Sequence, residues 1–402
     1  ENGASWDNRV FINASIKGHL EVLKWALHKL YGNYFNDAHN RYFNIENKLN
    51  WNINVCGNAV KGGHLDVLKW ARDKVVGTLW GEDVCSDAAK GGHFEVLKWA
   101  RDNGAPWNED VCSEAALRGH FEILKWARKN GAPWDEDVCS FASLKGNIEM
   151  LKWSRENGAP WNSQICGDAV IGGNFELLKW AHKNGAPGDK LVCSCAASEG
   201  RLDILKWLKK KGAYWNNWVC NNAAQNGHID VLKWAYENGV ILDNFGYINT
   251  VYEGHLDVLK WVYDVEGGYL CDDICVYAAE RGHLEILKWA YKKGALLSED
   301  VCSEASREGH LDILKWLREN GAPWNEDVCS EAADGGHLDV LKWARENGAP
   351  WDSRVCIYSS RRCYLSIFKW AYENGAQWDK NIYNRASEGG RRFILYYAKR
   401  LI

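Results

Sequence analysis

Two apolar patterns alternate along this chain. The first is short and made of small residues: in the stretch 108–119, Val111, Cys112, Ala115 and Ala116 recur at helical spacing before Gly119 ends the run. The second is wider: in 120–131, Phe121, Ile123, Leu124, Trp126 and Ala127 cover more than one side of a helix and leave Glu122, Lys125 and Arg128 for solvent. Asn108 and the acids after it are placed to cap the first helix, while Gly131 supplies a left-handed cap to the second and Pro133 stops it from continuing. No Val/Ile/Thr alternation of strand length is present. The pattern predicts an all-α chain built from pairs of helices.

The pair repeats. LKW places Trp at 25, 70, 99, 126, 153, 180, 207, 234, 261, 289, 316 and 343, FKW adds Trp370, and Tyr397 closes a series of fourteen units. Nearly every step is 27 residues; the exceptions are 45 (Trp25 to Trp70), 29 (to Trp99) and 28 (Trp261 to Trp289). The segment NGAPWNEDVCSEAA occurs unchanged at 103–116 and 320–333, at the boundary between units. A helix pair of this size cannot bury its apolar surface alone, so the expectation is a solenoid in which each unit stacks on its neighbours. With packed helices about 8–10 Å apart, fourteen layers would span roughly 110–140 Å. One array over 1–402 is expected, with an insertion at 26–50, irregular units at 240–277 and a more polar C-terminal cap at 380–402.

Composition narrows the function classes. A net charge of −4 over 402 residues favours neither nucleic acid nor an anionic membrane as partner. No apolar run approaches the roughly 18 residues needed to span a bilayer. The opening ENGASWDN carries neither Met nor a signal region and matches the tail of the repeat, so the chain is expected to begin inside a longer protein. Eleven of the fourteen Cys occupy one column, from Cys56 to Cys356. One layer apart, they exceed the ~7 Å Cα limit for a disulfide and the reach of a shared metal, and they read as small buried residues of a reducing, intracellular compartment, cytoplasmic or nuclear. Cys193 with Cys195, and Cys271 with Cys275, have no second ligand pair nearby. Nine of the twelve His form a second column, with Asn147, Asn174 and Arg201 standing in for it in three units. A catalytic base would not tolerate that exchange, so these His read as structural caps at the helix entry. The LKW Trp column reads as core and the Pro-Trp column (Trp107, Trp134, Trp161, Trp324, Trp351) as inter-repeat packing, in preference to a stacking surface for bases. No catalytic motif, metal site or cofactor site is present, and no enzyme is expected.

At A-A-x-x-G-H-L-E-V-L-K-W-A-R-E-N-G-A the unit resembles an ankyrin repeat, most specifically in A-A-x-x-G-H and G-A, and the match runs from Val10 to the end. It departs in two ways. D-V-C-S stands where the family has T-P-L-H, as at Asp110 to Ser113, so the family's inter-repeat His hydrogen bonds are lost or replaced. The unit is also six residues shorter where an ankyrin repeat projects a β-turn finger, which implies fingers cut back to a Pro-Trp loop. Short Trp-rich units of this kind resemble those of giant viruses, algae and oomycete-like protists. The resemblance implies a protein partner, bound here mainly on the first-helix face.

Specificity is expected where units disagree. Before the turn Gly the residues include Lys17, Lys61, Lys90, Arg118 and Lys145 early, then Glu199, Glu253, Glu280, Glu308 and Asp334, with Arg362 and Glu388 mixed at the end, a passage from basic to acidic that could orient a partner. The insertion carries Tyr31, Tyr34, Phe35, Tyr42 and Phe43 as candidate anchors, and the irregular unit adds Tyr247, in the Cys column, and Tyr252. The reading is a non-catalytic protein-binding scaffold, monomeric unless it belongs to an assembly. The alternatives are a structural component of a filament or particle, or the substrate-recognition arm of a ubiquitin ligase or another enzyme.

Overall fold

A computed structural model describes residues 8–31, 45–74, 80–81, 83–186, 191–268, 270–271 and 273–377. Among the described residues there are twenty-six helices and no strand, so the all-α expectation holds. The chain divides into two compact units, Glu1–Ala196 and Ala197–Ile402, and each is a series of helix pairs.

One repeat shows why this sequence folds as it does. Helix Asp110–Arg118 is followed directly by helix Phe121–Lys129. The turn between them is a Schellman motif: His120 N–H donates to Ala115 O at 2.8 Å and Gly119 N–H to Ala116 O at 3.1 Å. Gly119 has φ +78°, a conformation that penalises any Cβ. His120 therefore ends one helix and begins the next, and Leu124 N–H returns to His120 O at 3.1 Å. The second helix ends in the same way, with Ala132 N–H on Ala127 O at 3.0 Å and Gly131 N–H on Arg128 O at 3.1 Å. The next first helix opens on Asp135, whose Oδ1 accepts from Asp137 N–H at 3.1 Å; Asn162, Asn325 and Asp352 do the same in their repeats. Loops of this length leave no room for a β-turn finger.

The core of each pair is small. Val111, Cys112, Ala115 and Ala116 from the first helix meet Ile123, Leu124 and Ala127 from the second, all buried. Short side chains let first helices lie close beside those of the neighbouring repeats, as Asp110–Arg118 does with Val84–Lys90 and Asp137–Leu144. Burial pushes the column thiols up, to about 12 for Cys112 and Cys139, so they stay protonated and act as small apolar groups.

Two expectations change. The LKW Trp rings are half-buried, and Trp25 is 49% exposed, so they are not core residues. Nine helical residues of which five are apolar form a stripe too wide for one contact: Ile123, Leu124 and Ala127 face the core, while Trp126 and Phe121 lie against neighbouring second helices. The His column does not cap its own helix by its side chain either; among its stand-ins, Asn147 does, accepting from Met150 N–H at 3.0 Å. The imidazoles reach back one repeat instead, as set out below. The insertion meets the structure only at its ends, in helix Leu20–Tyr31 and helix Ile45–Gly62; Tyr34, Phe35, Tyr42, Phe43 and the expected cap at 380–402 lie outside the described residues.

Candidate protein-interaction surface

Each repeat has a side that joins it to its neighbours and a face that need not. The joining side is built from second helices and Pro-Trp loops. Trp107 meets Trp126 edge-on with centroids 5.9 Å apart, and Trp134 with Trp153, Trp324 with Trp343 and Trp351 with Trp370 repeat the geometry at 5.9–6.1 Å. Phe94 and Phe121 add edge contacts to the Trp of the following repeat, both at 5.7 Å. A guanidinium covers one face of each loop Trp: Arg101 over Trp107 at 4.2 Å, Arg128 over Trp134 at 4.5 Å, Arg345 over Trp351 at 4.3 Å. The same Arg donates to the loop carbonyl, Arg101 to Ala105 O at 2.9 Å and Arg128 to Ala132 O at 3.1 Å. The loop is thus held by its own helix.

The His column makes the second join. His64 Nε2 lies 2.9 Å from Ile16 O, His93 3.1 Å from Lys61 O, His228 2.8 Å from Ser198 O, His283 2.8 Å from Tyr252 O and His310 3.2 Å from Glu280 O. In each case the carbonyl belongs to the end of the preceding first helix, where a helix leaves acceptors unpaired. The ring also lies on the preceding turn glycine: a Cβ at Gly309 would stand 2.5 Å from His337 Nδ1. These bonds join each repeat to the one before it. In the last described repeat Cys363, at φ +66°, takes the glycine's place, and Tyr364 replaces His against Gly336.

The other face is formed by first helices, and here the candidate residues divide. In the first unit Lys17, Lys61, Lys90, Arg118 and Lys145 are all exposed. Lys61 pairs with Asp87 at 3.5 Å and Lys90 with Glu114 at 3.2 Å, each across to the next repeat. Desolvation raises the Asp87 carboxyl above its ordinary range, with Lys61 opposing. In the second unit Glu199, Glu253 and Glu308 are exposed, whereas Glu280 is half-buried and accepts from the Tyr252 hydroxyl at 2.9 Å. Burial and that bond push Tyr252 up to about 12. Its ring stacks on Tyr277 at 5.2 Å under the Arg281 guanidinium at 4.5 Å. Tyr247 is only 3% exposed, so this candidate is corrected: it fills the Cys position of its repeat and offers no contact surface. The side chain of Tyr31 is not among those described.

Sequence reasoning missed the partners of these charges. The acids lie two residues after the column Cys, at Asp87, Glu114, Glu304 and Glu331, and they face the neighbouring first helix. Arg307 pairs with Glu304 and, at 3.2 Å, with Glu308, while Arg361 and Arg362 each hold Asp334 at 2.8 Å. Around Glu304, Glu308 and Asp334 the surface is therefore mixed in charge, acids answered by Arg. Desolvation raises the carboxyls of Glu304 and Glu331, and hydrogen bonding from Arg362 lowers that of Asp334. Among the described residues no group of three or more His, Cys, Asp or Glu is arranged to hold a metal, and no helix is long and apolar enough to cross a membrane.

Comparison with known proteins agrees with the repeat. The family model described as ankyrin repeats (many copies) matches residues 85–128 and 193–236. No curated protein matches the sequence. Among solved structures, the human ASB11 ankyrin repeat domain is 19% identical, over 46% of this chain and 84% of that one, at a TM-score of 0.27. The pentatricopeptide repeat protein PPR10 from maize is 12% identical over 98% of this chain and 63% of that one, at 0.35; PPR10 in complex with an 18-nt psaJ RNA element is 13% identical over 98% and 79%, at 0.32. Scores this low place no ligand on this chain. The matched segments carry ankyrin repeats, and the helix pair with its A-A-x-x-G-H and G-A signatures recurs in the units between and beyond them.

Proposed function

We propose that the chain is a non-catalytic protein-binding scaffold that presents its first-helix face to a protein partner. Ankyrin repeats generally mediate protein–protein interaction, and one observation supports that role for this face: joining positions recur from repeat to repeat, whereas accessible first-helix positions change. At the place five residues after the column Cys, or after Tyr247 in its place, the repeats carry Lys61, Lys90, Leu117, Leu144, Ile171, Ser198, Gln225, Tyr252, Glu280, Arg307, Asp334 and Arg361. Stacking would select one residue type; a partner of irregular chemistry would select many. The face is built on short helices held at both ends, so little order is lost on binding.

A protein is favoured over nucleic acid because the net charge is −4 and the loop Trp faces already carry cations. The buried thiols suit a reducing compartment, which puts the protein inside the cell in this reading. Hydrogen exchange of the array with a bound partner, selected from a displayed protein library, tests the proposal. Protection is expected on exposed first-helix residues. A footprint confined to second helices and Pro-Trp loops would overturn it.

A further inference from the structure

Three consecutive repeats of the first unit depart from the polar character of this face. Helices Asp110–Arg118, Asp137–Leu144 and Ile165–Ile171 pack side by side. Leu117, Leu144 and Ile171 hold the same place on each, and Phe141 lies on the same helix face as Leu144, three residues before it. Ile171 is 50% exposed, and the other three are half-buried. The stack does not require these side chains, because the equivalent place in the second unit holds Gln225, Arg307, Asp334 and Arg361. An apolar row in water that packing does not demand is surface held for a partner.

The surrounding charge says what kind. Arg118 and Lys145 follow Leu117 and Leu144 directly and are exposed. Of the acids nearby, Glu114 is taken by Lys90 at 3.2 Å, and Asp168 is half-buried with its carboxyl raised by desolvation. Asp110 and Asp137 are exposed at the N-terminal ends of these helices, while at the C-terminal ends, where Leu117 and Leu144 lie, the charge left to meet a ligand is that of Arg118 and Lys145. We propose that this row binds an acidic peptide segment bearing spaced apolar side chains, with the apolar groups on Leu117, Phe141, Leu144 and Ile171 and the acids on Arg118 and Lys145.

Geometry limits the spacing. Neighbouring first helices at about 10 Å match every third residue of an extended segment at roughly 3.3 Å per residue, or every seventh of a helix at about 1.5 Å. The inference rests on the protein-binding reading and gives it a partner class.

Fluorescence anisotropy of the full chain with labelled synthetic peptides tests it. The probes are Glu/Gly peptides with Leu at every third position, Glu/Ala peptides with Leu at every seventh, and Lys versions of both. One acidic probe is expected to bind, its affinity falling as salt rises, and its Lys version at least tenfold more weakly. Leu117→Ser/Leu144→Ser/Ile171→Ser should reduce acidic-probe affinity at least tenfold. Arg118→Glu/Lys145→Glu should do the same while improving binding of the Lys version. Circular dichroism and melting of each variant separate lost binding from lost folding; a variant that melts early is replaced by the single change Lys145→Glu. Equal binding of acidic and basic probes, or acidic binding indifferent to these changes, overturns the inference. So does concentration-dependent self-association abolished by the Leu/Ile variant, since the occupant would then be a second copy. If library partners still protect first helices while the acidic probes fail, this inference falls and the scaffold reading stands.

Discussion

The joining side and the first-helix face of these repeats have comparable chemistry but opposite logic. Both contain aromatics, Arg and half-buried carboxylates. On the joining side each such group meets the same neighbour in repeat after repeat: Arg on the loop Trp, loop Trp on helix Trp, His on the preceding carbonyl. On the other face Tyr252 bonds Glu280, Lys90 bonds Glu114, and Leu144 has a charged counterpart elsewhere. Regularity marks what holds the repeats together, and irregularity marks the face that the proposed function gives to a partner.

Substitutions can break that contrast, and the largest effect belongs to the join. Gly309→Ala puts a Cβ at φ +80° and 2.5 Å from His337 Nδ1, and a loss of about 2–4 kcal/mol is expected in denaturant unfolding. Trp126→Ala removes the edge contacts to Trp107 and Phe94 and should cost about 2 kcal/mol, read in the same way. Cys363→Gly relieves a left-handed non-glycine residue and is expected to stabilise by about 1 kcal/mol, seen as a raised melting midpoint.

The smallest effect belongs to the face. Asp334→Asn should cost about 0.5 kcal/mol at neutral pH, because its partners Arg361 and Arg362 are exposed to solvent, which screens the pairs. The pH dependence gives the sign. The carboxyl of Asp334 is lowered when folded, so its contribution is present above the unfolded value of 3.8 and is lost as pH falls through the folded one. Wild type and Asp334→Asn should therefore converge in acid. Glu304 and Glu331 are raised by desolvation, so their folded forms gain stability as pH falls through their folded values, and Gln at either position should remove that gain. Melting curves across pH 3–7 would show the two trends with opposite slopes.

Much of the join was legible from spacing alone. The 27-residue step, the turn glycines and the Asn or Asp openings determined the helix pair and its ends. Which way side chains point across the join was not, since a His at a helix entry has its own N–H groups and the neighbour's carbonyl equally within reach in sequence. The carbonyl wins because the preceding turn glycine leaves room for the ring. Trp126 was misjudged for a related reason: periodicity shows that a residue is apolar-facing but not whether it faces core or neighbour. Tyr247 stands in the Cys column, and that position alone assigns it to the interior despite its hydroxyl. The charge pairs were invisible for want of pairing rules: Lys90 and Glu114 are 24 residues apart and meet only when first helices lie side by side.

The backward reach of each imidazole has a genetic consequence. Donor and acceptor occupy equivalent positions in successive repeats, so excising or inserting one whole repeat regenerates a complementary boundary, and the extra residues between Trp70 and Cys85 and between Trp261 and Cys275 leave the contacts of His93 and His283 in place. Joining the identical segments 103–116 and 320–333 would change the number of repeats, and with it the extent of the first-helix face, without altering the sequence of the joint.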